Sequence, residues 1–229
     1  MGLIGTLFKN WFGTTQATAG VSGSGEIPHA KHKIPYEVIR VQPTPNPDAF
    51  QFTLNMPVIG EGTRTFESPE DAKGDPFAEQ LFQLFGVQNV FLKENFVTVT
   101  KSPSVGWHTL LERINDIIEE FLVFQQVPDH AKALTPAEDP LADFKKEDFG
   151  TMSAEQKGRV IEAILDKAIR PALSNDGGGL DVLGIEGNVV KIHYQGACGS
   201  CPSSTTGTLL YIENFLRENV HSDLEVRAN

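Results

Sequence analysis

Apolar side chains recur along this chain with two periods, and the switches between them mark its elements. Tyr36, Val38, Ile39 and Val41 form a first run, which breaks at Pro43-Thr-Pro-Asn-Pro47. Phe50, Phe52 and Leu54 then alternate. A period of two sets one face of a strand against a core, so two strands are predicted here. Glu67-Ser-Pro-Glu-Asp71 reads as loop and helix-start chemistry. From Pro76, residues Phe77, Leu81, Leu84 and Phe85 have helical spacing, and Gly86 stands just past the end as a stop signal. Two further strands run from Val87 to Leu92 and from Phe96 to Thr100, joined by Lys93-Glu-Asn95. Leu110, Leu111, Ile114, Ile117, Ile118, Phe121 and Leu122 draw one stripe along a helix from about Trp107 to Phe124. The order β-β-α-β-β-α predicts a small antiparallel layer structure over residues 34–125.

Residues 126–152 read as a linker, punctuated by Pro128, Pro136 and Pro140 and filled with mixed charge. A second patterned region covers 153–229. Ser153 with Gln156 is a capping-box pair. Val160, Ile161, Ile164, Leu165, Ala168, Ile169 and Leu173 then share one helical face, ended by Asn175-Asp-Gly-Gly-Gly179. Leu180 to Ile185 and Val189 to Tyr194 form a hairpin through Glu186-Gly-Asn188. A helix from Thr205 to Asn219 and a short strand at Leu224 and Val226 complete the order α-β-β-α-β. If the crossover joins parallel strands, it is right-handed. The fold class is therefore α+β: two small α/β-layer domains joined by a linker.

Composition limits what such a chain can do. Its net charge is −11 over 229 residues, and residues 153–229 hold 7 basic against 10 acidic side chains. Neither half is basic, which opposes binding to nucleic acid or an anionic membrane through phosphate contacts. There is no apolar run of 18 residues, so no stable membrane insertion is expected. Residues 1–33 combine apolar positions at helical spacing (Leu3, Ile4, Leu7, Phe8, Trp11, Phe12) with a Gly/Ser/Thr/Ala stretch. They read as a flexible tail or docking peptide, with a membrane-surface or partner-binding helix as the alternative. Met1-Gly-Leu-Ile-Gly-Thr6 matches a myristoylation pattern in form only. A basic n-region and an uninterrupted apolar run, as a secretory signal would need, are not clear, and no Arg occurs before Arg40, so neither a secretory signal nor an Arg-rich presequence is expected. The expected compartment is the bacterial cytoplasm, with the mitochondrial matrix as the alternative.

The chain has two cysteines, Cys198 and Cys201, in Gly196-Ala-Cys-Gly-Ser-Cys-Pro-Ser-Ser204. This CxxC follows a strand and opens a helix. Pro202 suits a first helical turn, where its missing N–H is harmless. Cys201 is then expected beside the N-cap, where unpaired N–H groups and the helix dipole favour a thiolate. Ser203, Ser204, Thr205 and Thr206 add hydroxyl donors, while Gly196 and Gly199 let backbone approach the sulfurs. Two cysteines are no secreted disulfide framework. Four readings compete. The pair could be two small buried hydrophobes. It could be a redox dithiol, although a thioredoxin-like fold needs a longer βαβ frame than the hairpin seen here. It could bind zinc with two histidines, but His193 and His221 lack finger spacing and a lone strand histidine is more often a surface or packing residue. It could hold an iron–sulfur cluster, which commonly takes four thiolates; two chains across a two-fold axis would supply them.

These residues also carry a family resemblance. Arg170-Pro-Ala-Leu-Ser-Asn-Asp-Gly-Gly-Gly-Leu180, the hairpin and the Cys198–Cys201 loop make residues 153–229 similar to the C-terminal domain of NifU and of Nfu-type iron–sulfur scaffold proteins. Gln42-Pro-Thr-Pro-Asn-Pro-Asp-Ala-Phe-Gln-Phe52 and the Val87-to-Thr100 strand pair resemble the Nfu N-terminal domain. The resemblance implies a carrier, not an enzyme, that binds a [4Fe-4S] cluster across a homodimer and hands it to apo-proteins. Cys198 and Cys201 would be the ligands, and no residue would be catalytic. Partners would be apo client proteins and upstream cluster-assembly proteins, and the first domain would be a targeting or recognition module. Residues 1–33 have no counterpart in that pattern, and the linker is rather long and proline-marked. The alternative function is a dithiol oxidoreductase using Cys198 and Cys201.

Overall fold

The computed structural model describes residues 36–125, 139–199 and 202–228, the side chains of 202–205 excepted. The first sheet is built from β1 (Val38–Pro43), β2 (Ala49–Leu54), β3 (Thr63–Phe66), β4 (Val87–Lys93) and β5 (Phe96–Lys101) in the order β1-β2-β5-β4-β3, antiparallel throughout. Alternation does what the sequence pattern requires. Phe52 and Leu54 of β2, Val90 and Leu92 of β4, and Val97 and Val99 of β5 point to one face and are fully buried. That face is covered by α1 (Pro76–Phe82) and α2 (Leu111–Phe121) through Phe77, Leu81, Ile114 and Ile118. α1 starts where Asp75 accepts a hydrogen bond from the Ala78 N–H and Pro76 occupies the first turn.

The strand β3 is absent from the β-β-α-β-β-α expectation. It has four residues, Thr-Arg-Thr-Phe, with one strong apolar side chain, too short and polar for its period to register. It lies at a sheet edge, where polar residues are normal. The Trp107-to-Phe124 helix is shorter than expected: a 3₁₀ turn over Trp107–Thr109 precedes α2.

The second set of elements is α3 (Ala154–Ala168), α4 (Arg170–Asn175), β6 (Gly178–Glu186), β7 (Val189–Gly196), α5 (Pro202–Asn219) and β8 (Glu225–Ala228). Ser153 and Gln156 form the reciprocal capping box at the start of α3. The long helix of the sequence pattern divides at Ile169, because Pro171 cannot donate to a continuing helix and instead sits in the first turn of α4. β6 and β7 form the antiparallel hairpin, and β8 joins β7 in parallel after the α5 crossover. A second core gathers Val160, Ile161, Leu165, Ile192, Ile212 and Leu216. Phe149, within the stretch read as linker, is fully buried in this core, and Leu141, Phe144 and Met152 pack against it. The described residues from 36 onward form one compact unit.

The other face of the first sheet is what positions the site. Gln51, Thr98, Phe91 and Thr65 are successive register partners across β2, β5, β4 and β3, so they share this face. Phe91 and Thr98 have no solvent exposure, and Gln51 is 5 % exposed. The residues against them come from the Gly177–Gly179 turn and the end of β7.

Candidate functional site

The hairpin register ends at Gly178 opposite Gly196, so the Asn175-to-Gly179 turn and the root of the cysteine loop lie side by side. Gly196 has φ +60°, and a β-carbon there would stand 2.7 Å from the Gly177 carbonyl oxygen and 2.7 Å from Phe91 Cδ1. Only glycine meets both demands. The Ala197 N–H then donates to the Gly177 carbonyl (3.2 Å), and the Gly199 N–H to the Gly196 carbonyl (3.2 Å), turning the chain toward α5. Pro202 is the first residue of that helix, as expected.

Cys198 is 9 % exposed and packs in the second core. A glycine-flanked turn predicts an exposed thiol, and the structure turns this one inward. The reason is Gly178: its missing side chain leaves the space that Cys198 Sγ fills, and a β-carbon there would lie 2.5 Å from the sulfur. Burial, and then the electrostatic influence of neighbouring Cys198, push the Tyr194 hydroxyl far above its ordinary range. Cys201 lies outside the described residues, as do the side chains of Ser203, Ser204 and Thr205.

The two histidines weighed as zinc ligands are engaged elsewhere. His193 Nε2 is 2.9 Å from Glu67 Oε1, and His221 accepts from the Asp223 N–H and lies tilted against the Phe149 ring. Among the described residues no group of three or more His, Cys, Asp or Glu side chains could hold a metal ion.

The first sheet touches the site at several points that the sequence reading missed. Asn46, from the Pro-Thr-Pro-Asn-Pro break, is buried, and its Nδ2 donates to the carbonyl of Ala197, next to Cys198 (3.1 Å). Its Oδ1 accepts from the Asp48 N–H (3.0 Å), which fixes the amide's orientation. Gln51 Nε2 donates to the Ser174 carbonyl (3.1 Å) and Lys93 Nζ to the Ser174 hydroxyl (2.6 Å). Thr63 donates to Gln195 Oε1 (2.9 Å), and Gln195 Nε2 donates to Asp181 (2.6 Å). Burial pushes the Asp181 carboxyl above its ordinary range, offset in part by the Arg170 guanidinium. Burial also lowers the Lys93 ammonium. The available sequence signal was the second phase of each strand: Gln51, Thr98 and Thr100 alternate with the apolar positions, and alternation alone marks such residues as solvent-facing.

Two family models match the chain. "Scaffold protein Nfu/NifU N terminal" covers residues 39–125, and "NifU-like domain" covers residues 161–227. The mitochondrial NFU1 iron-sulfur cluster scaffold homolog of Homo sapiens is 33% identical over 187 residues, spanning 81% of this chain and 69% of that protein. The chain belongs to the Nfu/NifU family. Nfu proteins are scaffolds and carriers, not enzymes. NifU-like protein 4 of Arabidopsis thaliana, also mitochondrial, is 34% identical over 184 residues, and the match takes in 80% of this chain but 62% of that relative's length. The solution structure of a NifU-like protein from Saccharomyces cerevisiae overlaps 51% of this chain and 97% of its own, at 18% identity and a TM-score of 0.36. The two models fall on the two patterned regions, and the Nfu α+β class agrees with the sheets and helices described above.

Proposed function

We propose that this protein carries an iron–sulfur cluster as cargo and delivers it to apo-proteins. The observation that carries this reading is family membership together with the CxxC placed between β7 and the Pro-started helix α5. In this reading Cys198 and Cys201 each supply one thiolate. A [4Fe-4S] cluster takes four, and the chain has no further cysteine. A second copy supplies the other two, making the loaded form a homodimer with half a site per chain. Residues 34–125 serve as the recognition module, 126–152 as connector and 153–229 as the cluster-binding module.

Delivery is ligand exchange. A client thiolate bonds to a cluster iron as the bond from that iron to Cys198 or Cys201 breaks, and the departing thiolate takes up a proton. The inward-turned Cys198 must swing out from beneath Gly178 before it can bind. The mitochondrial names of the relatives support the mitochondrial matrix, the alternative compartment, as the place of action. No helix among the described residues is long and apolar enough to cross a membrane.

The test is anaerobic reconstitution with iron and sulfide, followed by visible absorbance and size exclusion. A brown dimer is expected from the wild type and little bound iron from Cys201→Ser. A colourless monomer, or equal loading in Cys201→Ser, would refute the reading. A reversible Cys198–Cys201 disulfide with reductase turnover in a monomer would instead support the oxidoreductase alternative.

A further inference from the structure

The polar face of the first sheet is built unlike a permanent core. Thr65 Oγ1, Asn89 Oδ1, Thr98 Oγ1 and Thr100 Oγ1 are buried and have no hydrogen-bond partner among the described residues. All four belong to this face by strand register, since Asn89 pairs with Thr100 two positions along from Phe91 and Thr98. Thr98 Oγ1 would be 3.1 Å from a β-carbon on Gly177, directly under the turn that borders the cysteine loop. A face that never met water would lose nothing by carrying valine at these positions, whereas a hydroxyl buried without a partner is costly. Hydroxyls there are explained if the face is solvated for part of its life. The contacts across it fit that reading: hydrogen bonds from Asn46, Gln51, Lys93 and Thr63, around Phe91 and its ring neighbour Phe96. Interfaces of this polarity between parts of one chain are the separable kind.

We infer that residues 36–125 form a releasable cover over Ala197 and Cys198, with Asn46 as its positioning residue. Docked, Asn46 holds the Ala197 carbonyl and keeps the neighbouring Cys198 tucked beneath Gly178. Undocked, the Ala197 carbonyl is released and the Cys198 thiol turns outward. For cluster traffic this rests on the carrier reading above: docking protects the empty site, and undocking readies it to receive cargo.

The test uses the full-length, reduced, metal-free chain, so it is independent of cluster binding. The rate of Cys198 alkylation by iodoacetamide is followed by mass spectrometry, with fragment ions separating Cys198 from Cys201. Asn46→Asp keeps the acceptor for the Asp48 N–H but loses the donor to Ala197, and is expected to alkylate about fivefold faster, the weight of one hydrogen bond. Thr98→Val removes a buried, unpartnered hydroxyl, favours the docked state and is expected to alkylate about fivefold slower. General loosening of the fold can only accelerate the reaction, so the slowing distinguishes a cover from a merely structural contact. Wild-type rates in both variants, or acceleration in Thr98→Val, would overturn the inference. If the rates shift as expected but no cluster assembles, the cover stands and the carrier function falls.

Discussion

At the scale of single residues, the site is shaped by what is missing as much as by what is present. Gly178 has no side chain because Cys198 Sγ occupies that place. Gly178→Ala puts a β-carbon 2.5 Å from the sulfur and 2.9 Å from the Gln195 carbonyl oxygen. It is expected to cost ~1–3 kcal/mol in urea unfolding, the usual range for overpacking. Gly158 is the internal control: it lies inside α3 with open space around its would-be β-carbon. Gly158→Ala is expected to stabilise by about 0.5–1 kcal/mol in the same measurement. Asp181 gives a pH signature. Its folded pKa lies above its unfolded value, chiefly through burial, so the folded state favours the protonated form. That contribution is fully present below the ordinary carboxylate pKa and is lost as pH rises through the raised one. Asp181→Asn, which carries no charge at any pH, is therefore expected to melt higher than wild type at pH 7, with the advantage shrinking as the pH is lowered through the carboxylate range. An advantage that is constant with pH would show that another group is responsible.

At the scale of elements, legibility followed the strength of the local signal. The capping box at Ser153 and Gln156, the β6–β7 hairpin and the Pro-started α5 were readable because each depends on residues close in sequence. Ser153→Ala is expected to lower stability by ~1 kcal/mol in chemical denaturation, since it removes the acceptor for the Gln156 N–H. The break at Ile169 was hidden because the apolar stripe continues past it through Leu173 while Pro171 interrupts the hydrogen-bond ladder. β3 was hidden by its length and polarity. The geometry at Cys198 was not legible. The inward turn of Cys198 depends on Gly178, twenty residues earlier, and no local pattern encodes that contact.

At the scale of the molecule, two cores meet across a polar seam. One lies between the five-stranded sheet and α1 and α2, and the other surrounds α3, α5 and the three-stranded sheet. Phe149 ties the stretch before α3 to the second core, so Phe149→Ala is expected to cost ~3–5 kcal/mol in thermal or chemical unfolding. The seam could not be read from the sequence, because strand periodicity assigns Gln51, Thr98 and Thr100 to a solvent face and says nothing about a partner arriving from more than 70 residues away. Through Asn46 the seam reaches the residue beside Cys198, which makes the whole unit, not the CxxC loop alone, the setting of the proposed chemistry. The most direct measurement is native mass spectrometry of the full chain after anaerobic reconstitution. One species is expected, two chains plus a single [4Fe-4S] cluster, that disappears in Cys198→Ser and in Cys201→Ser. A cluster held by one chain, or a dimeric species that keeps its cluster after loss of either cysteine, would contradict this expectation.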